Sequence, residues 1–116
     1  MLPVPVIVGL GAVVGATARY ATGEVLDDTR YPLSTVVVNV AGSFLLGLAV
    51  FGGLGGSTSL FFAVGLCGSL TTYSSFAVDT VDLSTDSARR AAAYVVATTL
   101  CSLLAVGAAA VFVTGL

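Results

Sequence analysis

The chain has no lysine and no histidine, and only 9% of its residues are charged. Without histidine it can build neither a Ser-His-Asp triad nor a Cys-His pair. The imidazole ligands common at zinc, copper and haem centres are missing as well. Two cysteines, Cys67 and Cys101, lie in apolar stretches with no partner at ligand spacing. They read as small core residues, not as a disulfide framework or a metal site. Four arginines face six acids, for a net charge of −2, so there is no basic patch to hold nucleic acid. Neither an enzyme nor a nucleic-acid binder is expected. The acids fall in two groups, Glu24, Asp27, Asp28 and Asp79, Asp82, Asp86, in two segments that read as hydrophilic loops. Loops rich in acids and free of lysine suit high-salt surroundings.

What the chain has in abundance is apolar sequence: 57% of its 116 residues are hydrophobic and the mean hydropathy is +1.08. From Tyr31 to Val78 no side chain is charged, a run of 48 residues. As one helix that run would span roughly 72 Å, against about 30 Å for a bilayer's hydrocarbon core. It must therefore cross, turn and cross back, and Gly52-Gly-Leu-Gly-Gly56 is the place to turn. The expected organisation is a single all-α transmembrane domain over residues 1–116, with spans at about 3–20, 33–51, 59–78 and 91–113. Met1–Ala18 carries no basic n-region and precedes further spans, so a secretory signal peptide is not expected. Gly11-xxx-Gly15 in the first span fits close helix contact in lipid. All four arginines fall on the side of the first and third loops, and none on the other. By the positive-inside tendency that side is cytoplasmic and both termini are outside.

Polar residues inside these spans recur at helical spacing. Thr35, Asn39 and Ser43 share one face of the second span, and Tyr94, Thr98 and Ser102 share one face of the fourth. The third carries Thr71, Thr72, Ser74 and Ser75. Such groups serve as hydrogen-bonding glue between membrane helices or line a path. Asn39 needs several partners for its carboxamide; both a cross-helix bond and a place in a path satisfy that need. Gly65, Gly68 and the following hydroxyl run weaken helix propensity at mid-membrane. A break there survives only if buried in protein or lining a cavity, and its freed carbonyls could bind a small cation. Tyr73 and Phe76, three apart, either pack together or offer the positive edges of their rings to an anion. The pattern describes a narrow, uncharged polar path that leans toward an anion.

Three blocks then carry a resemblance: Gly9-Leu-Gly-Ala-Val-Val-Gly-Ala-Thr-Ala-Arg-Tyr20, Ser34-Thr-Val-Val-Val-Asn-Val-Ala-Gly-Ser-Phe-Leu-Leu-Gly47 and Gly65-Leu-Cys-Gly-Ser-Leu-Thr-Thr-Tyr-Ser-Ser-Phe76. In this order, in a four-span chain, they resemble the CrcB/Fluc fluoride channels over essentially the whole length. The resemblance implies an inverted (antiparallel) dimer in the plasma membrane, with a third helix broken near its middle. It implies two pores for passive, selective fluoride export. Asn39 matches the family's pore asparagine, and Tyr73 and Phe76 match its two pore aromatics, with Ser74 and Ser75 between them. The break resembles the family's central sodium site, which by position would use the backbone carbonyls of Gly68 and Thr71 for a structural Na+ at the dimer interface. Arg19 matches a family arginine and reads as vestibule or structural. Ser102, with Thr98, is a candidate for lining the fourth helix by its spacing.

Three departures from the family pattern stand out. Tyr73 replaces the usual Phe, Ser75 a usual Thr and Ser69 a usual Gly. The first puts a hydroxyl at the path and is expected to reduce conduction. The one-sided arginines leave the partner open between a second copy and an oppositely oriented paralogue. The rival readings are a small multidrug transporter, which needs a membrane-embedded carboxylate, and a non-conducting membrane subunit. The nearest candidate is Glu24, past the end of the first span beside Asp27 and Asp28, and no acid lies within a predicted span except Asp79, at the boundary of the third.

Overall fold

A computed structural model describes residues 1–26 and 31–115. All of the regular structure among them is helical: α1 (Val4–Leu26), α2 (Leu33–Phe51), α3 (residues 56–70), α4 (Ser74–Asp86) and α5 (Ala88–Thr114). Four stretches are long and apolar enough to cross a membrane: α1, α2, α5, and α3 with α4 taken together as Gly56–Asp86. This is a multi-pass membrane protein.

Several helices run on past the segments expected from hydropathy. α1 continues through Glu24 to Leu26, and the expected loop after Val78 is helical up to Asp86, opening only at Ser87 before α5 begins. Asp27, Asp28 and Arg30, expected in the first loop, lie outside the described residues. Ser87 accepts a hydrogen bond from the Arg90 N–H, a side-chain cap that starts α5 at once. The turn between α2 and α3 falls in the glycine cluster, where Gly53 has φ +74° and Gly56 φ +60°, values that side-chain-bearing residues rarely adopt.

α1 lies along α3, and α2 lies along α5. The α1–α3 pair is joined through glycine. A Cβ on Gly11 would strike the Phe61 carbonyl, one on Gly15 the Leu66 carbonyl and Ser69 Oγ, and one on Gly65 the Val8 carbonyl. Backbones approach this closely only without side chains, which is how helices associate in lipid, where apolar burial gives little drive. Within α3, Leu60–Cys67 is wound as a π-helix, a rare form that often marks functional sites.

The third crossing is interrupted between Leu70 and Ser74, with Thr71 extended at φ −78°, ψ 157°. The interruption changes partners: α3 packs on α1, whereas α4 packs on α5. Leu83, Ala91 and Tyr94 form a buried cluster where α4 and α5 meet, with Val36 and Phe76 against it. Most of the remaining apolar side chains face outward, among them Leu104 and Phe112.

Candidate functional site

In an unbroken helix each carbonyl accepts from the N–H four residues on. The interruption after Leu70 frees several carbonyls, and three side chains answer it. Asn39 Nδ2 donates to the Thr72 carbonyl at 3.0 Å, while Asn39 Oδ1 accepts from the Thr72 N–H at 2.7 Å. A single carboxamide thus satisfies both backbone groups of the residue at the middle of the break. Arg19 Nε donates to the Ser69 carbonyl at 3.0 Å. Thr72 Oγ1 accepts from the Ser75 N–H at 3.1 Å, satisfying one of the orphan donors that open α4. Among the described residues, no donor reaches the carbonyls of Gly68, Leu70 or Thr71.

A cavity of about 470 Å³ opens beside the break. Of the residues singled out in sequence, it brings together Asn39, Gly68, Thr71, Tyr73, Phe76, Thr98 and Ser102. Its walls come from α2, α3, the break, α4 and α5, and no charged side chain lines it. The polar stripe of α5 expected from spacing contributes Thr98 and Ser102 to one wall. Thr98 is only 4% exposed, and its Oγ1 has no hydrogen-bond partner among the described residues. Leaving a buried hydroxyl unmet costs about 1–3 kcal/mol, which marks Thr98 as a polar group the packing of this wall does not use.

Arg19 and Ser75 line a second cavity instead, of about 400 Å³, with Glu24, Thr35 and Thr72. Ser74 is exposed and lines neither of the two cavities. Thr72 belongs to both, so the break is the partition between them.

Aromatic rings run through the site in sequence. Tyr73 and Phe76 have centroids 6.1 Å apart, Phe76 and Tyr94 5.4 Å, and Tyr94 meets Tyr31 edge-on at 5.8 Å. Tyr94 is completely buried. Its hydroxyl donates to Asp79 Oδ2 at 3.3 Å, and Thr35 Oγ1 donates to the same oxygen at 2.7 Å.

This last group corrects the sequence reading, which left Asp79 at a loop boundary. Asp79 stands inside α4, part-buried, receiving one hydroxyl from α2 and one from α5. The signal was available: Thr35 is one turn before Asn39, Tyr94 one turn before Thr98, and Asp79 one turn after Ser75. The three polar stripes converge one turn beyond the cavity, and the carboxylate sits where they meet.

Residues 6–110 match the family described as CrcB-like protein, Camphor Resistance (CrcB). Among similar proteins, the "Fluoride-specific ion channel FluC 2" of Natronomonas pharaonis is 48% identical over 100 residues, covering 85% of this chain and 84% of that one. The "Fluoride-specific ion channel FluC 1" of Halobacterium salinarum is 42% identical over 81 residues, 70% of this chain and 68% of that one. The protein of the same name from Listeria monocytogenes serotype 4b is 40% identical over 81 residues, 67% of this chain and 69% of that one. With four membrane-crossing stretches, an interrupted third crossing and a match over nearly its whole length, the chain belongs to the CrcB-like family.

Proposed function

We propose that this chain is a fluoride channel, working as an inverted dimer whose two pores let fluoride leave the cytoplasm down its gradient. The observation that carries the reading is the uncharged cavity at the break, walled by Asn39, Thr98, Ser102 and the rings of Tyr73 and Phe76. Fluoride is small and holds its water tightly, so a pore must replace that water with donors at close range. Hydroxyl protons, an amide and positive ring edges do so. None carries a full charge, so the ion is dehydrated without being trapped, as conduction requires. Ser75 and Arg19 belong on this reading to the second cavity, where the guanidinium collects anions before the partition at Thr72. Ser74 is the outermost of the path hydroxyls.

The break suits a structural Na+. Its donors are hard carbonyl oxygens, and those of Gly68 and Thr71 are left without hydrogen bonds among the described residues. Such oxygens replace the hydration shell of an alkali cation. Two copies facing one another would offer both pairs to one ion, which when bound would tie the subunits together by charge.

The rival transporter gains one point, since Asp79 does lie within the helical crossing. Its carboxylate, however, already accepts from two hydroxyls, and the similar proteins are named as ion channels. A channel of this kind is no enzyme. The partner is a second inverted copy or an oppositely oriented paralogue.

The test is efflux from liposomes that contain the purified chain, with fluoride and chloride electrodes in parallel. Fast fluoride release without chloride release is expected. Equal release of both ions would sink the selective channel. Silence that persists after a paralogue is supplied would sink conduction altogether.

A further inference from the structure

Among the described residues, Arg19 is the one charged side chain shown bonding to the backbone of the last turn before the break, at the Ser69 carbonyl, and the pattern of α1 places it there. Gly11, Gly15 and Arg19 recur every four residues and share one face. The two glycines press that face onto the backbone of α3. One turn further the same face reaches the end of α3, and there Arg19 Nε meets the Ser69 carbonyl. In a continuous helix that carbonyl would receive the Tyr73 N–H. The guanidinium stands in for the missing donor, at the helix end where partial negative charge accumulates.

We infer that Arg19 is a positioning residue for the cation site: by taking the Ser69 carbonyl it pins the last turn of α3 and leaves the Gly68 and Thr71 carbonyls as the pair that binds. The inference rests on the sodium reading above and assigns Arg19 a role separate from collecting anions. The three possible actions of this side chain differ in sign. As a bare positive charge near a cation it would weaken Na+ binding, so removing it would tighten binding. As an anion collector it would change fluoride flux at saturating Na+ and leave the Na+ requirement alone. As a clamp it strengthens Na+ binding, and removing it weakens binding.

The experiment follows the thermal unfolding midpoint of the purified protein in detergent while Na+ replaces choline at constant ionic strength. The wild type should show a saturable rise with Na+ that choline does not give. Arg19→Met keeps the stem but has neither charge nor donor; it should raise the Na+ concentration at half-effect about tenfold, the size of one charge-assisted hydrogen bond. Arg19→Lys keeps the charge without the planar fork and should shift it less, in the same direction. An unchanged or lower half-effect concentration in Arg19→Met overturns the inference. Should that variant fail to fold, an unchanged value in Arg19→Lys overturns it equally. Absence of any Na+ response in the wild type would overturn the sodium reading itself, a different result from an intact response that Arg19 does not influence.

Discussion

Tyr73 projects from the break with 80% of its surface exposed, and a hydroxyl is all that separates it from phenylalanine. Its ring is tilted 46° to Phe76 at the wall of the cavity. A polar tip at that position competes with the ring edge for the ion. Tyr73→Phe should therefore conduct fluoride faster than the native channel in liposome efflux; a rate equal to or below the native one would refute the cost assigned to the hydroxyl. Asn39 is the other single residue on which much depends. Asn39→Ala leaves the Thr72 N–H and carbonyl unpaired, which should cost about 2 kcal/mol in detergent unfolding and abolish flux. Sequence singled out both positions, Asn39 by the partners its carboxamide needs and Tyr73 with Phe76 as an aromatic pair among hydroxyls. Spacing left open whether Asn39 bonds across helices or lines the path. It does bond across helices, holding Thr72, and it also lines the cavity.

Among the helices, the interruption of the third crossing organises the rest. It lets one crossing serve two partners, α1 through α3 and α5 through α4. The glycine contacts make a sharp stability prediction. Gly15→Ala forces a methyl onto the Leu66 carbonyl and Ser69 Oγ, and overpacking of this kind costs about 1–3 kcal/mol. Gly9→Ala, on the same helix but with open space where its methyl would go, should stay within about 0.5 kcal/mol of the native protein. Circular dichroism melts of the two variants provide the check, and equal melts would contradict the packing described for α1. The weak helix propensity at Gly65 and Gly68 announced a break. Hydropathy ends a span at its first charge, so Asp79 reads in sequence as a boundary residue and not as part of the bundle. The donors that make the carboxylate tolerable, Thr35 and Tyr94, come from segments 44 and 15 residues away. Only the assembled bundle shows them together. Asp79→Leu should accordingly destabilise the fold by about 1–3 kcal/mol, as two hydroxyls lose their acceptor. The π-helical winding of Leu60–Cys67 left no mark in composition that hydropathy could detect.

For the whole molecule, the four arginines are the whole of the positive-inside signal, since no lysine adds to them. Their one-sided placement favours a single direction of insertion. With Cys67 and Cys101 replaced by serine, a cysteine at exposed Ser84 should react with an impermeant thiol reagent from one side of the membrane only. Equal labelling from both sides would establish dual insertion, which removes the need for an oppositely oriented paralogue.

The carbonyls of Gly68, Leu70 and Thr71, which receive no hydrogen bond among the described residues, have one more consequence. In hydrocarbon each unmatched backbone group costs several kcal/mol, and Gly68 is exposed on a lone subunit. On the inverted-dimer reading, a solitary copy carries these unmatched groups until a partner covers them, so association should itself raise the stability of each copy.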